Sequence, residues 1–305
     1  MNRETVRALC QLNTEFYERN AASFSQTRTA PWEGWRRCMA ACGFDDSDGA
    51  ALGQSMDTQI ADSVLDIACG NLRFEMFLAN AYPHIDWSFF AVDNCEPLVA
   101  SGQEDIAKKV HFTCEDIVSN LLEGLPAAEP ANIPALAATT PFDLVVSFGF
   151  LHHIPSFDLR RQFLLEALSQ VKPGGYLVVS FWQFLNDPAK RAKIEQTHVE
   201  ALAFFAGSLE PNDYFLGWKN EPGNYRYCHH FSNEEIDRII AALAPHATVV
   251  ESFSADGKPG NLNRYVVFKR KELPIDSIPV TNALSSMTDE EIKQLKVKTL
   301  VLGVG

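Results

Sequence analysis

A chain of 305 residues, 46% of them apolar and 21% charged, can bury a substantial core and exceeds the commonest single-domain size, so one catalytic domain with additions is expected. Its seven cysteines are odd in number, scattered and without a CxxC pair, which fits reduced thiols better than a disulfide framework and gives no reason to expect a metal site. The net charge of −13 repels polyanions and lacks the overall field of an autonomous nucleic-acid binder. No uninterrupted apolar run of about 18 residues exists, and the opening MNRETVRALCQLNTEF is too polar for a signal peptide, so a soluble cytoplasmic protein without a membrane partner is expected.

In chain order, Leu9, Leu12, Phe16 and Tyr17 recur at helical spacing, the polar stretch SFSQTRTAPW interrupts, and a second helix is predicted from Trp32. Residues 1–62 are read as a helical cap and linker. Apolar strands are predicted near Val64–Ala68, Trp87–Val92, Val110–Cys114, Phe142–Phe148 and Tyr176–Trp182, with helices between most of them. This alternation predicts an α/β fold, a Rossmann-like and mostly parallel sheet with helices on both faces. Residues 123–141 are Ala/Pro-rich and read as a surface insertion. Asp187 followed by Pro188 starts a helix predicted to reach Phe205, and residues 207–231 read as an irregular loop on the substrate side. Ser232 with Glu235 forms a capping box, and strands near Thr248–Ser252 and Tyr265–Lys269 bring the sheet to seven. The domain is taken as 63–271 and the tail as 272–305, where Thr288 with Glu291 suggests one more helix.

The chemistry concentrates at strand ends. VLDIACGNLRF joins a strand ending near Asp66 to a helix through a turn at Gly70, where backbone approaches a ligand closely and a helix N-terminus favours an anion. Ala68 and Leu72 stand where a pyrophosphate loop needs glycine, which disfavours a nicotinamide oxidoreductase. Asp93 lies roughly 20 residues beyond Gly70, placed to accept from two ribose hydroxyls. Asp116 at the third strand's end suits an adenine amino group, with Ile117 against the ring, and His152 and His153 follow the fourth strand.

The succession VLDIACG, AVD, CEDI, FDLVVSFGFLHHI and VKPGGYLVVSFW, over roughly residues 60–185, resembles the motif set of class I S-adenosylmethionine-dependent methyltransferases. The resemblance implies S-adenosylmethionine as cofactor and Asp66, Ala68, Gly70, Asp93, Asn94, Asp116, Ile117 and Phe148 as its site. FYERNAASFSQTRTAPW, NYRYCHHFSNEEIDRII and LNRYVVFKR are similar to segments of the tRNA wobble-uridine methyltransferases that esterify carboxymethyluridine. That likeness implies a modified tRNA uridine as acceptor and, as in eukaryotic members, a small activator subunit.

Arg28 is then a candidate carboxylate contact, and His152 or His153 a candidate base for any acceptor that must lose a proton. Tyr17 and Trp32 are more ordinary packing aromatics, and Arg226, Tyr227 and Arg264 rank lower. A small-molecule acceptor and a catalytically silent binding protein of the same fold are the alternatives.

Overall fold

The computed structural model describes residues 1–44, 63–124 and 141–272. Five segments rich in apolar residues form β1 (Ser63–Ile67), β2 (Ser88–Asp93), β3 (Val110–Cys114), β4 (Phe142–Ser147) and β5 (Val171–Trp182), all pairing in parallel. β8 (Ala247–Ala255) and β9 (Asn263–Arg270) complete a seven-stranded sheet of order β3-β2-β1-β4-β5-β9-β8, in which β9 runs antiparallel to both neighbours. Central strands lack the apolar–polar alternation of a one-sided sheet because helices cover both faces.

On one face α2 (Glu33–Ala41) and α3 (Arg73–Ala81) bring Trp35, Met39, Phe74 and Phe77 onto Val64, Leu144, Val146 and Val178. Gly34 permits this approach: a Cβ there would stand 2.2 Å from the Tyr265 ring. On the other face α6 (Ile117–Glu123), α7 (Phe157–Ser169) and α9 (Asn233–Leu243) pack Leu121, Phe163, Leu164, Ile236 and Ile239 on Leu65, Val145, Leu177 and Val179. Strand order reverses between β1 and β4, so helices leave the sheet on opposite sides there and a crevice opens at the strands' C-terminal ends.

α1 (Arg3–Ser25) begins at Asn2, whose side chain accepts from Thr5 N at 2.8 Å, and lies over that crevice. α8 (Pro188–Leu202) starts at its Asp187 cap and ends three residues before Phe205, while Ser232 caps α9 by accepting from Glu235 N. β5 starts five residues earlier than its apolar run, because Val171–Gly175 pairs back to β4 across an irregular register.

Residues 207–231 are not irregular throughout. They contain an antiparallel hairpin, β6 (Asp213–Gly217) with β7 (Tyr225–His229), outside the main sheet. Its connection is long, and Lys219, Asn220 and Gly223 take positive φ in place of a two-residue turn, so no short hairpin signature marks it. The tail helix expected near Thr288 and most of the 123–141 insertion lie outside the described residues. Among the described residues no helix is long and apolar enough to cross a membrane.

Candidate active site

The crevice deepens into a cavity of about 630 Å³. Asp66, Ala68, Gly70, Asp93, Asn94, Asp116, Ile117 and Phe148 line it, and so do Arg28, His152 and His153. Eleven positions from distant parts of the sequence thus meet at one place.

The floor is a tight turn after β1. Ala68 N and Cys69 N both donate to Val92 O, at 2.8 and 3.2 Å, tying the turn to β2. Ala68, Gly70 and Leu72 adopt φ of 66°, 58° and 57°, so two side-chain-bearing residues hold the left-handed conformation that glycine takes freely. Asp93, 8% exposed, accepts from Gly70 N at 2.9 Å through one carboxylate oxygen and from Cys95 N at 2.8 Å through the other. The carboxylate keeps accepting capacity for a further donor. Asp116 caps α6, accepting from Ser119 N and Ser119 Oγ at 3.0 and 2.9 Å. The side chain of Asn94 is exposed and donates to Thr14 Oγ1 at 3.3 Å.

Asp66 is 3% exposed and its Oδ1 has no hydrogen-bond partner. Burial, reinforced by Glu75 and Asp93, pushes its carboxyl well above the usual range. Glu75 is wholly buried in α3 with both oxygens unpartnered, and burial pushes it up to about 8. Unpartnered Trp35 Nε1 and Arg73 Nε belong to the same face, and Trp35, Asp66 and Arg73 line the cavity. This end of the cavity offers acceptors and donors that the protein itself does not satisfy. A ligand carrying an ammonium and a carboxylate fits it, and Asp93 with Asp116 at adjoining strand ends fits a ribose and a base.

The opposite wall is assembled from α1, the turn after β4, Trp182 and β7. His152 and His153 are 6% and 8% exposed and their rings lie 4.0 Å apart. His153 donates from Nδ1 to Tyr227 O at 2.9 Å, which leaves Nε2 to accept from the Tyr17 hydroxyl at 2.8 Å. His152 Nδ1 has no partner, and its ring packs 4.7 Å from Trp182. Burial holds both rings neutral, pulling His153 down to about 3 and His152 well below the imidazole range. The ligand atoms of His152, His153 and Cys228 lie within 4.8 Å of one another, yet both His153 nitrogens are committed to protein groups. Arg28 lies over the Phe24 ring at 3.6 Å, and burial with neighbouring Arg226 brings it down to about 10, still a cation at neutral pH.

The segment bearing Arg28 is latched to the floor. Asn71 Nδ2 donates to Ser25 Oγ and Arg28 O at 2.9 and 3.1 Å, and Arg73 Nη1 donates to Ala30 O at 2.9 Å. Tyr17 and Trp32 also line the cavity, whereas Arg264 is absent from its wall and donates to Ser252 on the sheet edge. Asn13, Glu75, Trp182 and the high standing of Arg226 were not legible from strand-end reasoning. Asn13, on the same apolar stripe as Leu9, Leu12 and Phe16, was a usable signal, since a polar residue there needs a buried partner; it accepts from Tyr227 N at 2.8 Å.

The family model for a methyltransferase domain matches residues 64–175, the stretch that supplies the floor. A protein of Encephalitozoon cuniculi (strain GB-M1) that carries a provisional methyltransferase name is 24% identical over 244 residues, spanning 79% of this chain and 91% of that one. Among solved structures, the DhpI–SAM–HEP complex aligns with a TM-score of 0.53 at 16% identity, over 88% of this chain and all of the other, and shares the fold. A SAM-dependent methyltransferase from Methanosarcina mazei aligns with a TM-score of 0.47 at 17% identity, over 70% of this chain and 95% of that one. With the methyltransferase-domain match covering the strands and turn that build this floor, the chain carries a methyltransferase domain over residues 64–175 and is an S-adenosylmethionine-dependent methyltransferase.

Proposed function

We propose that the chain methylates an oxygen of an acceptor seated between Arg28 and the His152–His153 pair, and that this acceptor is a carboxymethylated wobble uridine of tRNA. The observation that carries the reading is the convergence of cofactor and acceptor candidates on one cavity. In this reading Asp93 holds the ribose, Asp116 and Ile117 the adenine, and Asp66, Ala68 and Gly70 the methionine end, with Asn94 and Phe148 closing the sides. When bound, S-adenosylmethionine supplies an electrophilic methyl group on sulfur, and the DhpI complex contains SAM on the same fold.

The protein's task is then positioning. A carboxylate acceptor is already ionised at neutral pH, so Arg28 need only aim and desolvate it. His153, bonded at both nitrogens, orients Tyr17 and the wall. His152, neutral and with a free Nδ1, is the group able to take a proton from a hydroxyl acceptor.

Charge favours a second reading, a small anionic metabolite. Of the arginines that an RNA-binding mouth would need, Arg28 and Arg226 line the cavity, but Arg264 does not, and Arg270 is buried at the far end of β9 against Ser169 O and Val171 O. The test is labelled methyl transfer to tRNA lacking wobble esters, with and without candidate activator subunits, and to a metabolite extract. Incorporation into tRNA that falls steeply with rising salt supports the tRNA reading. Turnover of a metabolite with none on any tRNA overturns it and leaves the methyltransferase assignment intact.

A further inference from the structure

Arg226 is a charged side chain that the protein leaves without a counter-ion. It is 6% exposed, lines the cavity, and has no hydrogen-bond acceptor at Nε or Nη1. Among the described residues no carboxylate forms an ion pair with it. Its guanidinium lies 5.0 to 5.8 Å from the ring centres of Phe16, Phe24, Trp182 and Trp218. Rings attract a cation through their faces, but the in-plane N–H donors of a guanidinium need oxygen acceptors, and the rings have none. A second guanidinium, Arg28, shares two of these rings, Phe24 and Trp218. The adjoining histidines are neutral, so two positive charges face one compartment without an acid between them. Burying like charges in this way is costly unless an anion joins them.

The placement of Arg226 is itself enforced. β7 carries it, and the next residues anchor β7 in a buried polar chain. Tyr227 OH donates to Asp213 at 2.7 Å, and His229 bridges Asp213 at 2.7 Å and Glu235 at 2.6 Å. Arg160 Nε closes the chain by donating to Glu235 at 3.1 Å. One arginine of the neighbourhood, Arg160, therefore receives its carboxylate, while Arg226 is held rigidly without one.

We propose that Arg226 is the anchor of an anion subsite that selects acceptors bearing a carboxylate, gripped between its N–H edge and Arg28 in a slot walled by aromatic rings. Flat walls favour a planar carboxylate over a tetrahedral phosphate. The proposal rests on the methyltransferase reading for the identity of the ligand as acceptor, and the hairpin β6–β7, outside the matched domain, becomes the specificity element.

The test uses the full chain saturated with S-adenosylhomocysteine, probed by calorimetry with benzoate, its neutral isostere benzamide, and inorganic phosphate. Benzoate is expected to bind at least about 10-fold more tightly than either other probe, since one charge-assisted contact accounts for that much. R226M is expected to weaken benzoate about 10- to 100-fold and to leave S-adenosylhomocysteine affinity unchanged, and R226K to recover part of the loss. Benzoate should also change tryptophan fluorescence, a signal reduced in Trp218→Phe, which places the anion even where R226M does not fold. Equal binding of benzoate and benzamide, tighter binding of phosphate, or full benzoate affinity in folded R226M would overturn the proposal. Failure of the wild type to bind S-adenosylhomocysteine would instead strike the cofactor reading.

Discussion

The cavity has two halves of opposite electrical character. The floor, made by the C-terminal ends of β1, β2 and β3, gathers Asp66, Asp93 and Asp116, with Glu75 buried behind it in α3, while the wall made by α1, the β4 turn and β7 gathers Arg28 and Arg226 with two neutral histidines. The floor falls within the stretch matched by the methyltransferase-domain model, and most of the wall lies outside it. In the proposed reading, a common cofactor with hydroxyl and amino groups calls for a common set of acceptors, whereas the charge of the methyl acceptor would be met by segments before and after the core. A net charge of −13 therefore says little about the wall side of the cavity, where Arg28 and Arg226 lie.

If the halves are as independent as this contrast implies, damage to one should spare the other. The largest effect is expected at the wall's support: His229→Ala strands the buried carboxylates of Asp213 and Glu235 and should cost about 3–5 kcal/mol in urea unfolding. The folded fraction should still bind S-adenosylhomocysteine normally by calorimetry. A loss below about 1 kcal/mol would show that the hairpin is held mainly by its apolar contacts.

A change in the floor sharpens the contrast through pH. Glu75 titrates at about 8 in the folded chain against 4.5 as an ordinary glutamate, because burial disfavours its charge. The folded state then keeps a proton that the unfolded state releases, so stability falls as pH rises from 4.5 to 8 and levels off above. Glu75→Gln removes this contribution, and its stability relative to wild type should improve by on the order of 3 kcal/mol between pH 5 and pH 8.5. Asp66 lies beside Glu75 and is itself pushed up by burial, so it leaves the variant with a shallower residual slope. Parallel wild-type and variant curves would mean that Glu75 is already ionised when folded.

The smallest effect concerns the turn. Ala68→Gly trades the strain of a left-handed alanine, about 1–2 kcal/mol, against the extra freedom of glycine in the unfolded chain, about 0.4–1 kcal/mol. Thermal unfolding should show stabilisation of up to about 1 kcal/mol. Destabilisation of more than that would reveal packing by the Ala68 methyl group that outweighs its backbone strain.

The floor was legible in the sequence because strand-end acids, a glycine turn and apolar runs are local signals, each fixed by a few neighbouring residues. The boundaries of β1 to β4 followed for the same reason, whereas β5 begins five residues before its apolar run. The wall was harder to read. Arg226 matters through what it lacks, a carboxylate within reach, and only the assembled packing of α1, Trp182 and β7 reveals that absence. Glu75 stands in the first turn of α3, a position usual for a solvated acid, and only the packing of α3 on β1 buries it. The hairpin escaped notice because its register is set by Asp213–His229 pairing across a seven-residue connection and not by a turn motif.

The wall also contains its own hinge logic. Asn13 of α1 accepts from Tyr227 N, and Asn20 and Asn224 exchange amide hydrogen bonds at 2.9 and 3.1 Å, so α1 and the hairpin are sewn together at two points although some two hundred residues separate them in sequence. They form one cooperative unit: neither can lift from the cavity without carrying the other or breaking buried amide pairs. Amide hydrogens of residues 3–25 and 213–229 should therefore exchange with solvent in a single correlated opening, two segments remote in sequence behaving as one door.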